Sequence, residues 1–180
     1  MSIRAMQRWL LDSAALTTTA LPVPFYLQQQ SLWCWAACVD MAVVYYNTAA
    51  VQQCEIVNYT LARTDCCSNP GSGWCNTSIP GAWFAGIYNH YGIANCVPSA
   101  APATFTQVQA AIAANRLLAA GLSWTAGGSH VTLVTGFSTD GGSFVLVNDP
   151  GFGGSMWVTY AGLLYGYGLG NWVETWTMWV

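Results

Sequence analysis

An α+β fold, helical and cysteine-tied in its first part and mostly antiparallel sheet in its last, follows from three features of the sequence. Apolar residues recur at helical spacing from Trp33 to about Tyr46. Cys54, Cys66, Cys67 and Cys75 crowd a stretch rich in Asn, Gly, Pro and Ser. From Leu117 onward the pattern switches to short apolar runs separated by Gly-rich turns, which reads as strands. A chain of 180 residues fits one domain with two lobes. The expected division is an extended lead segment 1–27, a helical lobe 28–115 and a β lobe 116–180.

The lead segment ends in Leu21-Pro22-Val23-Pro24, where each proline disfavours helix for the residue before it. The first helix carries Trp35, Val39, Val43 and Tyr46 on one face. A loop region pinned by disulfides occupies 54–77. Ser78 is placed to cap a second helix running to about Tyr91, with Pro80 in its first turn and Gly92 ending it. A linker, CVPSAAPATF, follows. Thr104 and Gln107 have the spacing of a capping box and open a third helix to about Asn115. Strands are expected at Leu117–Trp124, Val131–Phe137, Phe144–Val147 and Met156–Tyr160. The aromatic C-terminus from Trp172 to Val180 is left unplaced.

Composition excludes several functions. Only 6% of residues are charged, lysine is missing, and Arg4, Arg8, Arg63 and Arg116 are the only firm positive charges. A net charge of −3 without a basic cluster argues against nucleic acid, since phosphate binding needs several clustered cations. The longest apolar run, Trp33 to Val51, is interrupted by Asp40 and Asn47 and reads as a buried helix rather than a membrane span. Arg4 and Arg8 precede Trp9-Leu10-Leu11, but Asp12 cuts this short, giving no clear signal peptide. The abundance of cysteine nonetheless predicts a secreted or otherwise exported protein in an oxidising compartment.

Chemistry is concentrated in three places. Cys34 opens the first helix, where the first backbone N–H groups and the helix dipole favour a thiolate. Gln28 lies six residues upstream, on an extended segment from which its amide can reach an oxyanion alongside the Cys34 N–H. A thiolate nucleophile wants an imidazole, and the chain has two. His90, in YNHYG, sits at a helix end and reads as a C-terminal cation or partly buried aromatic. His130 follows Gly127 and Gly128, which allow close backbone approach, and starts the strand HVTLVTGF; it is the better base. Asp140-Gly141 signals a tight hairpin. With Thr139 facing Gly142, Asp149 faces Thr132, diagonal to His130 and on the same face. A three-residue loop shifts the parity and brings Asn148 round instead.

Gln, Cys, His and Asp in that order, the cysteine on a helix and the last two on a sheet, suit a two-lobed cysteine hydrolase. The motifs Q-x5-CWAA at 28–37, GGSHVTLVTGF at 127–137 and VLVNDP at 145–150 resemble the papain-like cysteine proteases. The likeness is to the compact bacterial branch of staphopains and plant-pathogen avirulence effector proteases. It implies a papain-like two-lobed fold, a protein or peptide substrate and no cofactor. It also implies Gln28 for the oxyanion hole, Cys34 as nucleophile, His130 as general base and Asp149 as orienting acid. Acyl transfer or deamidation on the same triad is a second reading, and a catalytically silent binding or toxin module a third.

With Cys34 kept free, six of the seven cysteines remain: Cys38, Cys54, Cys66, Cys67, Cys75 and Cys96. They are expected to form three disulfides, whose connectivity the spacing leaves open. A zinc site competes weakly, because only Cys66, Cys67 and Cys75 cluster and no C-x2-C pair exists.

Overall fold

The computed structural model describes residues 18–47 and 50–180. The first part of the lead segment, including Arg4, Arg8 and Trp9 to Asp12, lies outside the described residues. Helix α1 spans Cys34–Asn47, and every residue from Trp35 to Val43 is buried. A helix apolar on all sides belongs in the middle of a domain. It packs against strand β4 (Ser129–Ser138) and helix α2 (Gln53–Thr60). Burial extends to Asp40, whose carboxyl is pushed up to about 6 by desolvation, partly offset by a hydrogen bond from Gln53.

Among the described residues, seven strands form one antiparallel sheet of order β2-β7-β3-β4-β5-β6, with β1 (Thr18–Ala20) also pairing with β4. The others are β2 (Asn95–Ser99), β3 (Leu117–Trp124), β5 (Phe144–Asp149), β6 (Gly154–Thr159) and β7 (Gly170–Trp179). Strand β1 comes from the lead segment and continues the β3 side of β4 beyond the end of β3. It can come this close because of Gly136: a Cβ there would stand 2.7 Å from the Thr19 carbonyl oxygen. Strand β2 comes from the expected linker, and its Pro98 is tolerated because β2 is an edge strand.

The unplaced C-terminus is β7, an inner strand between β2 and β3. Trp172, Trp176 and Met178 are buried in it, and the Trp176 ring stacks on Phe84 with centroids 4.5 Å apart. Phe84 opens helix α3 (Phe84–His90), which follows a 3-10 turn at Gly81–Trp83. The helix therefore starts later than Ser78, because Pro80 is extended and Ile79 before it is biased the same way. Helix α4 (Phe105–Ala113) does begin at the Thr104–Gln107 capping box, with Thr104 N–H donating to Gln107 Oε1 at 2.8 Å. A one-turn helix α5 (Tyr160–Leu164) links β6 to β7.

Two disulfides, Cys54–Cys67 and Cys66–Cys75, tie the loop after α2. The third expected bridge is not formed: Cys38 and Cys96 are free, as is Cys34. Cys38 lies under β4, its thiol donating to the Val131 carbonyl, whereas Cys96 is on the edge strand β2. Strands β7 and β3 separate them. Asp65 groups with Cys66 and Cys75, but those two sulfurs are spent on a disulfide, which disfavours the zinc alternative. No helix among the described residues is long and apolar enough to cross a membrane.

Candidate active site

The two tryptophans flanking Cys34 fix the start of α1. Trp33 Nε1–H donates to the Cys75 carbonyl at 2.8 Å, and Trp35 Nε1–H donates to the Thr77 carbonyl at 3.0 Å. Asn76, between those acceptors, takes the Leu32 N–H at 2.9 Å and donates to Ser31 Oγ at 2.9 Å. The disulfide-tied loop is thus the wall on which the turn bearing Cys34 is hung. Cys34 itself is half-buried, lines the same cavity as His130 and is close enough to raise its pKa.

His130 and Asp149 meet through a register that the turn alone does not set. Ser138 faces Phe144 and Gly136 faces Leu146, so a five-residue loop, 139–143, closes the β4–β5 hairpin. Asp140-Gly141 does form a turn, but within this longer loop rather than as a two-residue connection, and this register by itself would bring Asn148 to the His130 face. A bulge between Val134 and Gly136 then shifts the ladder, and Val134 faces Val147 and Leu133 faces Asn148. One step further Asp149 falls beside Thr132, and its Oδ1 lies 2.6 Å from His130 Nε2. Asn148 points the other way, bonding to Ser155 Oγ at 2.6 Å and to the Pro24 carbonyl at 3.2 Å. It clips the lead segment to the sheet.

With Nε2 taken by Asp149, Nδ1 is the nitrogen left for Cys34. Burial is the largest single influence on His130 and lowers its pKa. Hydrogen bonds to Asp149 and Cys34, together with their charges, outweigh it and raise the imidazole to about 9. The environment therefore favours the imidazolium form of His130. Trp124 stacks on the ring at 5.8 Å and Phe152 meets it edge-on at 6.3 Å, limiting water access. Gly151 is needed for closeness: a Cβ there would stand 3.0 Å from His130 Cε1. Its N–H donates to Asp149 Oδ1 at 3.0 Å, and Tyr167 Oη–H donates to Oδ2 at 3.0 Å.

Gln28 is held beside this cluster, its N–H donating to the Pro150 carbonyl at 3.1 Å. Its side-chain amide donates to the Gln30 and Ser31 carbonyls at 2.9 and 2.8 Å. Its hydrogens are thus engaged in its own turn rather than aimed at Cys34. His90 stands apart, stacked on Tyr59 with ring centroids 3.4 Å apart. Cys38 lies one turn below Cys34, where burial, then the charges of Cys34 and Asp149, push its thiol up.

Two cavities border the pair. One of about 380 Å³ is lined by Cys34, Trp35, Ile79, Phe84, Ser129 and His130. The other, of about 400 Å³, lies on the far side of the imidazole and is lined by Gln28, Trp124, Gly151, Phe152 and Leu169. Apart from His130, no charged side chain lines either. Sequence reasoning missed Trp124, Phe152 and Tyr167. The signal for Tyr167 was a tyrosine between glycines, YGYG, and for the other two the glycine-rich stretches beside His130 and Asp149.

Residues 16–159 match a family of papain-like cysteine proteases. That family is described as papain-like cysteine protease AvrRpt2, and this chain belongs to it. The chain also resembles the crystal structure of the Pseudomonas avirulence protein AvrPphB. Identity is 12%, coverage 89% of this chain and 98% of that one, and the TM-score 0.43, too low for the likeness to carry weight beside the family match. No curated protein matches the chain.

Proposed function

We propose that this protein is an exported bacterial cysteine peptidase that hydrolyses peptide bonds with Cys34 as nucleophile, His130 as general base and acid, and Asp149 orienting the imidazole. The observation that carries this reading is the chain of contacts Cys34–His130–Asp149 at the edge of an uncharged cleft, the last link 2.6 Å long. The thiolate attacks the peptide carbonyl carbon, and the charge moves to the carbonyl oxygen. The Cys34 N–H and the Gln28 amide, once turned from its own loop, stabilise that oxygen. His130 gives its Nδ1 proton to the departing amine and a thioester remains. Water, deprotonated by His130, attacks the thioester and frees the acid and the thiol. The family implies a protein substrate, and the uncharged lining supports apolar residues flanking the cleaved bond. Export is supported by the two disulfides, which persist in oxidising compartments.

Incubation with a diverse peptide mixture, read by mass spectrometry, tests this. New termini at a backbone bond, absent with Cys34→Ala, are the expected outcome. A glutamine side chain converted to acid or joined to an amine would replace hydrolysis with deamidation or acyl transfer. Intact peptides with wild-type protein would leave the silent-module reading.

A further inference from the structure

Tyr167 lies beyond residue 159, where the family match ends, yet it reaches the centre of the site. It sits in the middle of three successive left-handed residues: Gly166, Tyr167 and Gly168 have φ of 50°, 58° and 85°. Glycine adopts that backbone freely, but for a bulky residue it is an outlier that persists only when its surroundings demand it. Two contacts supply the demand. The ring meets Phe152 edge-on at 5.6 Å, and the hydroxyl donates to Asp149 Oδ2 at 3.0 Å. Asp149 is fully buried, and its Oδ1 is already shared by His130 Nε2 and the Gly151 N–H. Two donors on one oxygen leave the carboxylate able to pivot about that oxygen. A third donor on Oδ2 fixes its plane. Burial, then the charge and acceptor oxygen of Asp149, push the Tyr167 phenol up, so it remains a donor across the working pH range.

We propose that Tyr167 is a positioning residue for the peptidase reaction, its hydroxyl locking the Asp149 carboxylate and, through it, the His130 imidazole against Cys34. This rests on the peptidase reading above. The strained turn is thereby explained: it delivers a phenol from the β6–β7 connection to the buried side of the triad.

The test is a double-mutant cycle of Tyr167→Phe and Asp149→Asn, which keeps the tyrosine ring and its packing. It is read in two ways: kcat and KM on a cleaved peptide, and the rate of Cys34 alkylation by iodoacetamide at pH 7, located by peptide mass. Tyr167→Phe is expected to lower kcat about tenfold, as for loss of a hydrogen bond to a charged group, with KM within about twofold. In the Asp149→Asn background the same change should cost less than about twofold, because the residue through which Tyr167 acts is already altered. Alkylation rates should show the same non-additivity. A wild-type protein that cleaves nothing but keeps the non-additive alkylation cycle would end the peptidase reading and leave the positioning role standing. Losses that multiply independently, or a Tyr167→Phe protein within twofold of wild type in alkylation rate, would overturn the positioning role whatever peptides are cut.

Discussion

Replacing Asp149 by alanine removes the acceptor of three hydrogen bonds at once. His130 Nε2, the Gly151 N–H and the Tyr167 hydroxyl all lose a partner at a fully buried position. The largest consequence falls on His130. Its rise from 6.5 to about 9 occurs against desolvation, and Asp149 supplies both a hydrogen bond and a charge to it. That rise corresponds to roughly 3 kcal/mol of preference for imidazolium at about 1.4 kcal/mol per pKa unit. Most of it is expected to vanish with Asp149, leaving burial to hold the ring neutral at pH 7. A loss of that order in transition-state stabilisation is about 10²-fold in kcat/KM.

The assay is kcat/KM on a cleaved peptide across pH 5–10, with the His130 ring followed by NMR. Asp149→Ala should fall about 10²-fold and its imidazole should titrate below 6.5. Asp149→Asn should be milder, because an amide still orients the ring. Stability carries the same signature with a defined sign. The folded-state His130 value is raised, so its stabilisation is fully present below about pH 6.5 and is lost as pH climbs through about 9. That slope should disappear in Asp149→Ala. If Asn148→Ala were instead the crippling change while still folding, the register at the bulge would be wrong and every partner on β5 displaced by one.

Cys34→Ala and His130→Ala should abolish turnover, whereas His90→Ala, on a ring stacked against Tyr59 away from the triad, should keep most of it in the same peptide assay. Alkylation of the denatured, unreduced protein should add three adducts, at Cys34, Cys38 and Cys96, by intact mass; a single adduct would mean that Cys38 and Cys96 pair after all. Asp40→Asn should raise the melting temperature at pH 8 by an amount equivalent to about 1–3 kcal/mol, since a buried carboxyl lifted to about 6 opposes folding as pH rises above 3.8. Its advantage should shrink below pH 4, and an equal gain at pH 3 would refute burial of charge as the cause.

Elements whose reason is local were legible in the sequence. The largely apolar stretch behind Cys34 is α1, the Thr104–Gln107 box starts α4, and β3 occupies Leu117–Trp124 as its apolar run predicts. What escaped depends on partners distant in the chain. Thr18–Ala20 and Asn95–Ser99 have no strand signal of their own; they become strands because β4 and β7 offer them unpaired edges. The C-terminal run could have been read as a strand from its recurring Trp172, Trp176 and Met178, but its place inside the sheet follows from pairing on both sides. The third disulfide failed for the same reason: counting cysteines says nothing about two strands standing between them.

The hairpin shows how a site can be legible when one of its steps is not. A two-residue hairpin at Asp140-Gly141 predicts Asp149 on the His130 face, whereas the chain closes a five-residue loop of opposite parity. The bulge at Thr135 reverses that parity before the site is reached. Gly136, the residue after Thr135, has a second duty, since its missing side chain lets β1 approach β4. One short stretch, Thr135-Gly136, therefore does two jobs: it docks the lead segment and turns Asp149 rather than Asn148 toward His130. Gly136→Ala would push on the Thr19 carbonyl and on the bulge together. Its expected effect is loss of stability and of His130–Asp149 alignment at once, seen as a lower melting temperature with a lowered His130 pKa. A variant that melts lower while His130 still titrates near 9 would separate the two jobs and leave the bulge independent of β1.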